Sequence, residues 1–241
     1  SSMNKPPIYI EFIKGESDPE IHAISPQEGP ATGGTKVIIT GNDFRNVMER
    51  HPKGVLKVYF GDEEAKSIKF IDYKTIEAIA PESKVFGDVQ IRVKNPDDTI
   101  TQDNIRFTYI SKPKIMTISP NKIFTNDTET EVTITGQMFM QGAKVVVGGQ
   151  VVNISNLKAD MDIKGQGLIG VDSQGNNRQV AVVGGIEAAS VTVESENVIK
   201  VRFNEATNLE NHSIIIINPD GGISDPYDDF QYEIPVPGRP I

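Results

Sequence analysis

Cysteine and tryptophan are both absent from the 241 residues. Without cysteine no disulfide can brace the chain, so its stability must come from apolar burial. The buried bridge and tryptophan that mark antibody domains are excluded with them. Histidine is scarce: His22, His51 and His212 stand far apart, and none has the short spacing that brings two metal ligands together. Positive charge is also in deficit, with 24 Lys and Arg against 33 Asp and Glu and a net charge of −9. The basic residues are scattered, whereas a duplex-binding surface needs them clustered against phosphates. Nucleic acid is therefore not an expected partner. No apolar run approaches the ~20 residues of a spanning helix, so direct membrane insertion is not expected. Neither Gly-x-Ser-x-Gly nor His-Glu-x-x-His occurs, and no enzyme activity is expected.

What the chain does contain is one stretch written twice. Ile24-Ser25-Pro26 leads through Gly29-Pro30 and Gly33-Gly34-Thr35 to Val37-Ile38-Ile39-Thr40-Gly41 and Phe44. Proline stops a helix and extends its predecessor, the glycine pair makes a turn, and the β-branched run makes a strand. Gly41 reads as a turn ahead of a buried aromatic. Ile118-Ser119-Pro120 and Val132-Thr133-Ile134-Thr135-Gly136, with Phe139, repeat the pattern. Asn126-Asp127-Thr128 replaces the glycine pair. The spacing from Ile24 to Ile118 is that of a domain, too long for a solenoid unit. The ends of the two copies also match: Asn95-Pro96-Asp97 answers Asn218-Pro219-Asp220, and Phe107-x-Tyr109 answers Phe230-x-Tyr232. Turn chemistry accounts for the first pair, and aromatics on one strand face for the second.

The Ile-Ser-Pro, Gly-Pro, Gly-Gly-Thr, Ile-Thr-Gly, Phe sequence resembles the IPT/TIG domain. That resemblance implies an immunoglobulin-like β-sandwich in each copy and spans roughly residues 20 to 234. It does not settle function, because fold and site are separate matters.

The expected fold is all-β: two tandem immunoglobulin-like sandwiches, the second carrying a β-hairpin-like insertion. Residues 1–19 read as an N-terminal extension or edge strand, around Ile8–Ile13. The first domain covers 20–111, with strands over Thr35–Thr40, Leu56–Phe60, Ala65–Ile71, Thr75–Ala80, Val89–Lys94 and Ile105–Ile110. Phe44–Arg50 reads as a helical turn or plain loop. Ser111-Lys112-Pro113 is a short linker that keeps the domains close. The second domain covers 112–234, and residues 235–241 read as a proline-rich linker to a further module.

Gly61 to Asn95 spans 34 positions and the matching Gly148 to Asn218 spans 70, a surplus of 36. The surplus lies at about 150–194. Two apolar runs flank the polar tip Ser173–Arg178, the pattern of a hairpin arm. Gly165-Gln166-Gly167-Leu168-Ile169-Gly170 spells a dinucleotide fingerprint, yet no helix follows to receive a pyrophosphate. A β-turn is expected there instead. Asp172, Asn176, Asn177 and Arg178 at the tip are the candidate partner-binding residues. Asp220, Asp225, Asp228 and Asp229 form an acidic group beside glycines, a place for Ca2+ as an alternative to a solvated loop; no other cofactor is expected.

The composition and the resemblance together point to a non-catalytic extracellular module of a bacterial cell-surface or secreted protein, monomeric as a fragment. It would serve adhesion or spacing, presenting the arm to a protein or glycan partner. The alternative is an accessory domain pair of a secreted polysaccharide-degrading enzyme. Whether the arm meets a partner or packs on the first domain stays open.

Overall fold

The computed structural model describes residues 17–206 and 211–236. The stretch around Ile8–Ile13 and residues 237–241 of the expected linker lie outside the described residues. Residues 20–110 contribute nine strands: β1 Glu20–Ser25, β2 Glu28–Pro30, β3 Lys36–Asn42, β4 Lys57–Phe60, β5 Glu63–Glu64, β6 Ser67–Asp72, β7 Thr75–Ile79, β8 Gly87–Lys94 and β9 Arg106–Ile110. They form two sheets, β1-β3-β7-β6 and β2-β9-β8-β4-β5. Phe44–Arg50 is loop. The second half adds β10 Lys114–Ser119, β11 Lys122–Phe124, β12 Val132–Gln137, β13 Lys144–Val147, β14 Gln150–Asn153, β15 Ile163–Val171, β16 Asn177–Val183, β17 Ile186–Glu187, β18 Ser190–Ser195, β19 Val198–Arg202, β20 Ile214–Ile217 and β21 Gln231–Glu233. No α-helix occurs among the described residues.

The two sandwiches follow one plan. Order β10-β12-β19-β18 repeats β1-β3-β7-β6, and parallel β11-β21 repeats parallel β2-β9. Alternation fills each core: Val37 and Ile39 meet Ile76 and Ala78 in one, Val132 and Ile134 meet Ile199 and Val201 in the other. Phe60, Phe107 and Tyr109 pack edge-on or tilted with centroids 5.1–6.4 Å apart, and Phe203, Phe230 and Tyr232 pack tilted at 5.4–6.2 Å. The buried tyrosine hydroxyls donate to the carbonyls of Pro81 and Asn204, so neither strands a polar group in the core.

Two details depart from the sequence reading. Gly41 and its counterpart Gly136 are not turns but strand residues beside a β-bulge. A side chain there would overlap the carbonyl of Glu20 or Lys114 and press on the ring of Phe44 or Phe139. The Asn-Pro-Asp corners also do more than turn the chain. Asn95 and Asn218 are buried and point inward. Asn95 accepts from Arg45 N–H (3.0 Å) and donates to the Asp43 carbonyl (2.9 Å). Asn218 accepts from Met140 N–H (3.2 Å) and donates to the Met138 carbonyl (2.6 Å). Asp43 and Met138 both sit at φ 59°, so each asparagine pins a loop in a backbone shape that is otherwise unfavourable.

The surplus residues form a third sheet, ordered β14-β16-β15. It ends sooner than the sequence reading placed it, because β18 from Ser190 onward pairs with β19 in the main sheet. This sheet lies over the outer face of β13 and β20, enclosing Val146, Val180, Val182, Ile215, Ile217 and Ile223. Ile214 and Ile216 face the main core, while Ile215 and Ile217 face the added sheet. A strand covered on both faces reads as an unbroken apolar run. In the first domain the corresponding strand keeps Arg92 and Lys94 on the open side.

Candidate functional site

The hairpin β15–β16 leans out of the third sheet and reaches the first domain. Its glycines make the path possible. Gly167 and Gly165 are strand, not turn, which corrects the expected β-turn. Gly165 leaves room for Ile217, and Gly167 lies so close to the Gly221 carbonyl that any side chain would overlap it. Leu168 N–H donates to that carbonyl at 2.8 Å. Within the dinucleotide-like motif, Gly167 thus serves close backbone approach, as glycine in a strand often does.

At the tip, Asp172 closes the turn. Its carboxylate accepts from Asn176 N–H (3.0 Å), Asn176 Nδ2 (3.1 Å) and Gln174 N–H (2.8 Å). These hydrogen bonds, the Asn176 N–H foremost, hold the Asp172 carboxyl below its usual pKa. Asp172 and Asn176 remain exposed. Asn177 is bound to the first domain: its amide donates to the Glu28 carbonyl (2.7 Å), and its oxygen accepts from Thr35 Oγ1 (3.0 Å). Beside it, Lys36 N–H donates to the Gly175 carbonyl at 2.8 Å. The four tip residues therefore divide. Two shape the turn, one joins the domains, and Arg178 stands exposed at the edge of the junction.

The linker is fastened as well. Ser111 donates its N–H (2.7 Å) and hydroxyl (2.9 Å) to Asp220, and accepts from Asn218 Nδ2 (2.8 Å). Asp220 also accepts from Gly222 N–H (2.9 Å). The acidic group read as a Ca2+ candidate is accordingly dispersed. Asp225 pairs with Lys112 (3.2 Å) and Asp228 accepts from Ser213 Oγ (2.8 Å). Among the described residues no three acidic or histidine side chains converge to hold a metal.

Between the domains lies an open cleft of about 530 Å³, with Thr32, Glu82 and Ser83 on one wall and Met138, Asp225 and Tyr227 on the other. It adjoins a groove under the arm lined by Lys66, Lys112, Ile169, Val171 and Arg178. Thr32, Glu82 and Lys112 belong to both. Lys112 is half-buried, and Lys66 and Arg178 are exposed. The site is thus a trough with Lys66, Arg178 and Glu82 at the arm end and Lys112, Lys114 and Asp225 toward the linker. Sequence reasoning reached Arg178 but missed Lys66, Glu82 and Thr32, which belong to first-domain loops with no local mark of a site.

The sequence matches the family described as IPT/TIG domain over residues 19–109 and 113–161, more than half of its length, and the chain belongs to that family. The second match stops within the added sheet. Plexin A3 of Danio rerio is 27% identical over 146 residues, which cover 59% of this chain and 7% of that protein. Among solved structures, a plexin A4 full extracellular region is similar over 93% of this chain and 19% of its own, at 17% identity and TM-score 0.36. SGBP-B from a complex xyloglucan utilization locus in Bacteroides uniformis is similar over 90% of this chain and 50% of its own, at 19% identity and TM-score 0.27.

Proposed function

We propose that this pair of IPT/TIG sandwiches is a non-catalytic binding module of an extracellular, bacterial cell-surface protein, held as one rigid unit by the arm. The observation that carries the reading is the junction of Asn177 and Gly175 with Glu28, Thr35 and Lys36. It adds to the linker bonds of Ser111, and a second attachment suppresses the hinge motion that a short linker alone would permit. A fixed angle between the domains keeps the trough open and its walls in constant register. A preformed trough binds without first losing conformational freedom. The partner is a protein or glycan that enters the trough and meets Arg178 and Asn176 at its rim, which combines a rigid scaffold with a variable projection.

The test is capture. The purified two-domain protein is screened against arrays of glycans and extracellular proteins, in parallel with Thr32→Trp, which fills the trough. Capture by the unaltered protein and its loss in the variant are the expected results. A protein that captures nothing, or that binds equally well with the trough filled, overturns the reading.

A further inference from the structure

In a chain of net charge −9, several lysines are already paired with acids. Lys57, Lys94, Lys122, Lys144 and Lys164 each lie within 3.2 Å of a carboxylate. The groove under the arm instead gathers cations from three separate segments. Lys66 precedes β6, Lys112 is in the linker and Arg178 is on the arm, and they share one concave surface only because the arm is docked. Among the described residues neither Lys66 nor Arg178 has an acidic partner, and Lys112 has Asp225 alone. Three cations against the single carboxylate of Glu82 leave the groove net positive, and a concave wall focuses that potential inward.

We propose that this groove binds a carboxylate-bearing saccharide of the uronic acid type, a refinement that rests on the reading of the chain as a binding module. Arg178 and Lys66 take the carboxylates, which a guanidinium does with two parallel hydrogen bonds. Glu82 at the centre of the trough and Asp225 beyond it can only accept hydrogen bonds when ionised. Hydroxyls on the same units that carry the carboxylates satisfy them, whereas glutamate side chains offer no such donor. Half-buried Ile169 and Val171 give an apolar strip against which a ring face can lie. The alternation of cation, acceptor and apolar strip matches a chain whose units carry both carboxylate and hydroxyls.

The experiment is titration calorimetry of the two-domain protein with an oligogalacturonate, a neutral manno-oligosaccharide of equal length and poly-glutamate. The oligogalacturonate is expected to bind, more weakly as salt is raised, because exposed charges are screened within about 10 Å at 0.1 M ionic strength. Arg178→Glu and Lys66→Glu are each expected to weaken it about tenfold, the scale of one lost charge-assisted contact. Lys122→Glu, with the same change in net charge far from the groove, leaves affinity unchanged. Unaltered melting temperatures would show that the variants fold. Equal binding of poly-glutamate overturns the saccharide assignment. Equal binding of the neutral oligosaccharide, indifferent to Arg178, overturns the anionic assignment and leaves the binding-module reading standing. Absence of oligogalacturonate binding overturns the proposal, and absence of all capture in the array screen removes the broader reading too.

Discussion

Asn177 donates its side-chain amide to the main-chain carbonyl of Glu28, 149 positions earlier, at 2.7 Å. The same side chain accepts from Thr35 Oγ1. Thr35 is itself fully buried, so the arm is not resting on a surface but completing the hydrogen bonding of a first-domain turn.

Asn177→Ala is expected to cost about 1–3 kcal/mol, since two net hydrogen bonds are lost at about 0.5–1.5 kcal/mol each. The measurement is the denaturant midpoint of the two-domain protein. Small-angle scattering should show a broader distribution of interdomain distances. An unchanged midpoint and scattering profile would mean that the linker alone sets the geometry.

Two glycines of one motif should behave oppositely. Gly167→Ala places a methyl group against the Gly221 backbone, which cannot yield as a flexible side chain would. Destabilisation of at least the ~1–3 kcal/mol typical of overpacking is expected. Gly170→Ala meets nothing within 4 Å and should stay within about 0.5 kcal/mol of the parent. Thermal melts of the two variants side by side decide it.

Ile215 is buried beneath the added sheet, at the position where the first domain has Arg92. Ile215→Arg in the full chain is expected to cost more than about 3 kcal/mol, because the charge is buried without a partner. In a chain with 150–185 replaced by a short turn, that face is open and the same substitution should improve solubility. If the substitution is equally damaging in both backgrounds, the sheet is not what covers Ile215.

Acid should loosen the arm's tip. Asp172 has a pKa depressed by the hydrogen bonds it accepts from Asn176 and Gln174. A depressed carboxylate contributes stability that is full above its unfolded value and is lost as pH falls through the folded one. The loss therefore begins near the ordinary carboxylate value of 3.8 and continues below it. Carbon-detected NMR titration of the Asp172 carboxyl should place its midpoint below that of an exposed aspartate. Asp172→Asn should erase the tip's pH dependence. A midpoint at the ordinary value would contradict the hydrogen-bonded turn.

Much of this molecule was legible in the chain. Alternation in Val37–Thr40 and Thr75–Ala80, the repeated Phe-x-Tyr strands and the paired Asn-Pro-Asp corners led to two sandwiches, because local periodicity and turn chemistry need only neighbours in sequence. The hairpin was legible for the same reason. The run Ile214–Ile217 carried a further signal: four consecutive isoleucines where the first domain alternates Ile91-Arg92-Val93-Lys94 mark a strand covered on both sides.

The β-plan, its duplication and the place of the enlargement follow from the order of residues alone. It took the folded molecule to show that Asn177 reaches Glu28 and Thr35, that Gly167 lies against Gly221, and that Lys66, Lys112 and Arg178 line one groove. These groups lie on segments remote in sequence and meet only once the sheets have formed and docked, which local periodicity does not encode.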